Sequence, residues 1–336
     1  MGDWDEPPSA AGRKAPPKPQ AELSYVSSLN FVLPSTIRVI AWSPVSPDFS
    51  ARFNCRYRHY KYFFSPRGLD VDAMRDAAER LVGEHDFRNL CKIDPTKQLT
   101  TFNRRIRSVD ISPVEGEDGL YVFNLVGTAF LYNQVRHIMA VLFLVGTGME
   151  HPSIVSALLN TDPDNPAPSV KEGEPAPPVV QSKPEYQMAD PLPLMLWECG
   201  YDESDIDWRT DRNPERPPEP LSQKDITGNL YHQLQSLHER SVIHTTLDAH
   251  FLKAAARHHS PPPQYFPRNH PGSQPIPRRS VMSIPLGAGA FRRAAIYVPL
   301  LERARAPTAE SMNERWRVGK GARRAEKKAL ENGGDE

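Results

Sequence analysis

Cysteine is scarce in this chain of 336 residues. Cys55, Cys91 and Cys199 stand far apart and no C-x-x-C pair exists. That speaks against a disulfide framework and a cysteine-based zinc site, and it favours a reducing compartment. An excess of charge of one sign is also missing, since 41 Lys and Arg balance 41 Asp and Glu. Bulk electrostatics therefore point to no partner, and any basic surface must be local. Long apolar runs are absent too. The longest, "IMAVLFLVG" at 138–146, is too short to span a bilayer, so no membrane association is expected. The first residues, "MGDWDEPPSAAGRKAPPKPQ", hold no apolar stretch of the kind a secretory signal needs.

Proline, by contrast, is abundant. The 35 prolines are about twice the usual share of roughly 5%. Residues 1–22 are rich in Pro, Ala and charge and read as a disordered tail. Patterned sequence runs over 23–201, with a Pro-, Glu- and Ser-rich insertion at 161–189 that reads as flexible. Residues 202–259 read as a helical extension with Leu230, Leu234, Leu237, Leu247 and Phe251 turned inward. Residues 260–336 read as a Pro/Arg-rich, basic C-terminal tail.

Within 23–201 the local patterns are specific. Ile37 to Trp42 reads as a strand bounded by prolines, and "RYRHYKYFF" as a second one stopped at Ser65-Pro66. Asp70 is placed to cap a helix that buries Met74, Ala77, Ala78 and Leu81. "RRIRSVDISPV" and "GLYVFNLVGTAF" form a strand pair across "EGEDG". "NQVRHIMAVLFLVGTG" is a buried helix, "PSIVSALLN" a short one, and "PLPLMLWECGY" a strand. Strands and helices mix without a regular β–α–β alternation, so the expected class is α+β, with a mixed or antiparallel sheet and packed helices.

One strand carries an unusual load. On an extended chain His59, Lys61 and Phe63 share one face, with Tyr60, Tyr62 and Phe64 on the other. Arg52, Arg56 and Arg58 crowd just upstream. Arginines beside a row of aromatic rings hold a phosphate backbone and stack an unpaired base. The alternative is that the rings fill a core and the arginines are solvated. A second feature bears on the choice. "GTAFLYNQVRHIM" sets Phe130 and Arg136 around a strand-to-helix junction, and Arg136 lies early in an otherwise apolar helix. A charge there needs a carboxylate partner or a substrate phosphate.

Other candidates carry less. His232, His238, His244 and His250 recur every six residues, which does not gather them on one helical face as a metal site would need. Asp86 in "GEHDF" either caps a turn or joins a cleft. The basic run near the C-terminus reads as a solvated face.

Taken together, "LPSTIRVIAWSPVSPDFSARF", "RYRHYKYFF", "LVGEHDF", "GTAFLYNQVRHIMAVLFLVGTG" and "PLMLWECGY" resemble the TruA-type tRNA pseudouridine synthases. Within that family they are similar to the eukaryotic branch that acts on the 3′ side of the anticodon loop. The likeness runs from about residue 23 to 200, and "YVPLLERARAPTAESMNERW" resembles the end of fungal members. The resemblance implies a sheet-based α+β domain, a homodimer gripping the anticodon stem-loop of tRNA, no cofactor or metal, and a place in cytoplasm or nucleus. By motif, Tyr60 matches the tyrosine that stacks on the target uracil. Arg136 matches the arginine that pairs with the catalytic aspartate. Arg52 matches a residue lining the same cleft, and Phe130 an apolar wall residue.

The chain departs from the family at the nucleophile. The family's aspartate sits in a G-R-T-D-x-G-V motif that would precede residue 23, and no such motif stands there. Asp3, Asp5 and Glu6 lie in the Pro-rich tail. Arg209-Thr210-Asp211 lacks the following Gly-Val and lies in a charged connector. No catalytic residue is therefore assigned, and the chain alone is expected not to make pseudouridine. Three readings stay open: a catalytic half encoded in an upstream exon, a tRNA-binding protein that has lost the chemistry, or the product of a decaying gene copy.

Overall fold

The computed structural model describes residues 23–210, 230–259, 282–294 and 296–324. Asp3, Asp5, Glu6, Asp211 and the Pro/Arg-rich stretch 260–279 lie outside these residues. The chain divides into two compact units, one of residues 1–49 and 203–261, the other of 50–202 and 262–336.

The larger unit is built on a five-stranded antiparallel sheet. Its strands are β1 (Tyr57–Phe64), β2 (Gly83–Asp86), β3 (Asn103–Pro113), β4 (Tyr121–Gly127) and β5 (Leu194–Gly200), in the order β2-β3-β4-β1-β5. Helices α2 (Val71–Glu79) and α3 (Gln134–Gly146) pack on it, with short α4 (Ile154–Leu159) beside them. This is the α+β architecture with an antiparallel sheet that the patterning predicts.

Alternation along β1 sorts its side chains as expected. Tyr62 and Phe64 are buried, and they pair with Phe123 and Tyr121 of β4. Tyr60 shares this core-ward face, opposite Leu125. The other face is polar: His59 Nε2 lies 3.0 Å from Asn124 Oδ1, and the Lys61 ammonium sits 3.6 Å above the Trp197 ring. Asp70 caps α2 by accepting the Ala73 N–H at 2.9 Å, and Met74, Ala77, Ala78 and Leu81 are buried as the spacing requires. Nearly every residue of α3 is buried. That explains why its sequence is apolar all round rather than striped.

Residues 161–189 form no helix or strand, yet they are held against the core. Buried Arg80 binds Glu174 through its two terminal guanidinium nitrogens, at 2.6 and 2.8 Å, and Asp76 through Nε at 3.0 Å. Asn89 donates to the Val180 carbonyl at 2.6 Å. Proline-rich composition concealed these anchors because each joins positions more than 90 residues apart.

The C-terminal stretch expected as a tail is corrected for its described part. Residues 282–294 form a hairpin, β6 (Met282–Gly287) and β7 (Ala290–Ala294), and Ile284 joins the core. The Tyr62 hydroxyl donates to the Leu286 and Asp190 carbonyls, at 3.3 and 2.9 Å. A Cβ on Gly287 would lie 2.2 Å from that hydroxyl, and its φ of +91° suits glycine alone. Glu150 then accepts both the Tyr297 hydroxyl (2.5 Å) and the Leu300 N–H (2.6 Å). Charge and proline count masked a short alternating pattern, "MSIPLGAGAFRRA".

In the smaller unit two expectations fail. Ile37–Trp42 is not a strand, and only Trp42 pairs, with Arg209. The Asn30 side chain takes the Val39 N–H and carbonyl, both at 2.8 Å, in place of a strand neighbour. Asn30 belongs to helix α1 (Tyr25–Val32). Among the described residues of the helical extension there is one helix, α5 (Leu230–Ala255), without a buried residue. Leu247 and Phe251, expected inward, are 61% and 79% exposed. The apolar residues of α5 do not gather into one stripe, so there is no single face to bury.

Candidate nucleic-acid interface

β1 brings Tyr60 to the middle of the sheet, where the β1–β5 register shifts between His59 and Tyr60. Such irregularities re-aim a side chain. The Tyr60 ring meets Phe130 edge-on, with centroids 4.9 Å apart and planes at 79°. Burial pushes the Tyr60 phenol up, with the nearby Arg58 charge opposing, so it stays protonated at neutral pH. Phe130 reaches Tyr60 because β4 ends in Gly127, whose absent Cβ would sit 2.9 Å from the Phe130 ring and 3.0 Å from the Arg105 carbonyl.

Arg58 lies on the same face as Tyr60. Its guanidinium donates to Thr128 O and to Arg52 O, each at 3.1 Å. It thereby ties the loop carrying Arg52 to the loop carrying Phe130. Arg52 itself is exposed, with its guanidinium 5.4 Å from the Phe53 ring.

Arg136 stands in the first turn of α3. The preceding residue of the turn, Asn133, is left-handed (φ 56°), which bends the chain sharply into the helix. Arg136 Nε donates to the Ala189 carbonyl at 2.8 Å, and the Ala189 N–H donates back to the Arg136 carbonyl at 3.1 Å. No carboxylate lies within ion-pair distance of Arg136 among the described residues. The acid next to Ala189, Asp190, is turned to its own backbone and accepts the Leu192 N–H at 2.8 Å.

Beside Arg136, buried His137 has both ring nitrogens within about 3 Å of the Lys183 ammonium, at 3.1 and 3.0 Å. Lys183 also donates to Cys91 O at 3.0 Å. Burial first, then the charges of Lys183, Arg136 and Lys92, hold the His137 pKa down to about 3. Burial lowers Lys183 to about 8. Sequence reading passed over Lys183, His137 and the brace role of Arg58. Only Arg58 carried a signal, as one of the arginines crowding β1. Asp86 resolves as a turn cap, accepting the Arg88 N–H at 2.8 Å and pairing with its guanidinium at 2.7 Å.

The chain is neutral overall but not locally. Arg52, Arg58, Arg105, Arg107, Lys92, Lys97 and Arg136 have no carboxylate partner among the described residues, whereas Arg75, Arg80 and Arg88 are each paired. Unpaired cations beside half-buried aromatics suit a phosphate backbone with an unstacked base. Among the described residues no three His, Cys, Asp or Glu are grouped to hold a metal ion, and no helix is long and apolar enough to cross a membrane.

Comparison with known proteins agrees with this reading. Residues 77–202 match the family model described as tRNA pseudouridine synthase. The tRNA pseudouridine(38/39) synthase of Bos taurus is 44% identical over 200 residues, 57% of this chain and 38% of its own length. That of Saccharomyces cerevisiae is 41% identical over 199 residues, 59% of this chain and 40% of its own. The tRNA pseudouridine synthase A of Methanothrix thermoacetophila is 33% identical over 195 residues, 57% of this chain and 61% of its own. The chain thus spans about two fifths of the eukaryotic relatives it matches. Residues 77–202 are a pseudouridine synthase domain of the TruA family.

Proposed function

We propose that this chain is the base-binding part of a tRNA pseudouridine synthase acting on uridine in the anticodon arm. Isomerisation breaks the C1′–N1 bond, turns the uracil and joins C1′ to C5, with the C5 proton lost and N1 regaining one. The base must leave the stack and be held by an aromatic face. Tyr60, propped by Phe130, supplies that face. Arg136 awaits the carboxylate that acts on the sugar or base, and a guanidinium beside it keeps such an acid ionised. Arg52 guides the backbone at the rim. Two copies gripping one tRNA belong to the same proposal, as does action in cytoplasm or nucleus.

The observation that carries this reading is the Tyr60–Phe130 pair in the same unit as an arginine with no acid partner among the described residues, in a chain whose residues 77–202 match this family. A second reading is a tRNA-binding protein without chemistry, favoured by Asp190 being bonded to the Leu192 N–H and forming no ion pair with Arg136 among the described residues. Full-length transcript sequencing upstream of Met1, followed by assay of the encoded chain, separates the two. An in-frame segment with an Arg-Thr-Asp-x-Gly-Val motif, and pseudouridine formation by the extended chain, supports the enzyme. Transcripts that begin at Met1, with tRNA bound but unchanged, support the binder.

A further inference from the structure

Tyr132 is two residues beyond Phe130, and the cleft described above does not use it. Its ring is 50% exposed and flanked by two ammonium groups. Lys92 Nζ lies 5.7 Å and Lys97 Nζ 5.8 Å from its centroid. The arrangement is built rather than loose. The Lys92 N–H donates to the Tyr132 carbonyl at 2.9 Å. The loop between the two lysines forms a short 3-10 turn, Pro95–Lys97, whose N-cap Asp94 accepts the Thr96 N–H and hydroxyl at 3.1 and 2.7 Å. Asp94 is the nearby acid, and those bonds engage it. It forms no ion pair with either lysine among the described residues.

The C-terminal segment braces this loop. Helix α6 (Ala309–Trp316) presents Asn313, whose side chain donates to Leu99 O at 2.9 Å. Gln98, left-handed at φ 48°, returns a hydrogen bond to Asn313 O at 3.3 Å. Two cations on flexible side chains therefore lie over a solvent-facing ring whose main chain is fixed. Exposed tyrosine serves packing poorly, and the nearby acid, Asp94, balances only one of the two lysine charges. A base stacked on the ring with a phosphate between the ammonium groups would satisfy both.

We propose that Tyr132, Lys92 and Lys97 form a second nucleotide seat, where a neighbour of the flipped uridine stacks on Tyr132 and its phosphate lies against both lysines. This rests on the tRNA reading above. The left-handed turn at Asn133 separates half-exposed Tyr132 from Arg136, one helical turn on, which is bonded to Ala189. The two seats are therefore separate points on one strand of RNA.

The test is the affinity of the chain for an unmodified anticodon stem-loop RNA, measured by fluorescence anisotropy across a salt series. Tyr132→Ala is expected to weaken binding by roughly 5- to 150-fold with little change in salt slope, the scale of one stacked base. Tyr132→Trp is expected to restore it. The double variant K92Q/K97Q, on exposed side chains that leave folding intact, is expected to flatten the log–log salt slope by about 1.4, near 0.7 per lost contact to single-stranded RNA. If wild type binds and Tyr60→Ala weakens it, but the Tyr132 and lysine variants bind like wild type, the second seat is wrong and the first stands. If wild type binds no RNA, both fall. If the lysine double variant flattens the slope but Tyr132→Ala has no effect, the stacking role is overturned.

Discussion

Arg136 and Ala189 exchange two hydrogen bonds, Nε–H to carbonyl at 2.8 Å and N–H to carbonyl at 3.1 Å. The exchange fixes the first turn of α3 to the segment leading into β5 and uses only one edge of the guanidinium. Nη1 reaches no nearer than 3.5 Å to Asn133 Oδ1, at the limit of a hydrogen bond. The fork is therefore only partly engaged, and the proposed function assigns its free edge to a carboxylate.

Arg136→Lys tests this directly. Lysine has no Nε–H in that position and no planar fork. The variant should lose about 1 kcal/mol of stability in urea denaturation, the usual net value of one hydrogen bond. In an extended, active chain it should also lose turnover while tRNA affinity falls little. Unchanged turnover would remove Arg136 from the chemistry.

Gly127→Ala addresses the aromatic pair. The new methyl would meet the Phe130 ring at 2.9 Å and the Arg105 carbonyl at 3.0 Å, so Phe130 must swing off Tyr60. Binding of the stem-loop should weaken toward that of Tyr60→Ala, itself expected to cost about 1–3 kcal/mol. Tyr60→Phe should bind nearly as wild type, because the ring and not the hydroxyl does the stacking.

These two sites show how far the sequence was legible. The positions of Tyr60 on β1 and Arg136 early in α3 were readable because strand alternation and a lone charge in an apolar helix each leave a local mark, whereas the site roles of these residues and of Phe130 came from the family resemblance. The Arg58 brace and the Lys183–His137 contact were not. The first joins main-chain carbonyls at positions 52 and 128, and the second spans 46 residues, so neither has a periodicity. The β6–β7 hairpin was hidden for a different reason: proline and arginine content outweighed a five-residue alternation.

The buried His137 makes a pH prediction. Its folded pKa is about 3, against about 6.5 for an unfolded histidine. The groups around it are Lys183, Arg136 and Lys92, all cationic, with the Tyr186 ring edge-on at 5.3 Å. Below pH 6.5 the unfolded chain takes up a proton that the fold refuses. Its contribution to stability is complete above pH 6.5 and declines toward pH 3, by up to about 1.4 kcal/mol per pH unit. Urea denaturation at pH 7 and pH 4 should show that wild type loses more stability over this interval than His137→Gln does. Equal losses would place His137 in contact with solvent.

β5 is an edge strand among the described residues, and Trp197 on it is 55% exposed beside exposed Met195 and Leu196. Unpaired apolar edges recruit other chains. Sedimentation velocity should show concentration-dependent association of the wild-type chain. Trp197→Glu, placing a carboxylate under Lys61, should reduce it. Association unaffected by the substitution would assign it to another surface.

The most direct test of a base-binding cleft without its own nucleophile is to incubate the purified 336-residue chain with unmodified tRNA and measure both binding and pseudouridine. The account predicts retained tRNA, binding weakened by Tyr60→Ala, and no pseudouridine by mass spectrometry of the digested RNA after cyanoethylation. Pseudouridine formed by this chain alone would contradict it, because a carboxylate within these residues would then have to reach the site that Arg136 leaves open.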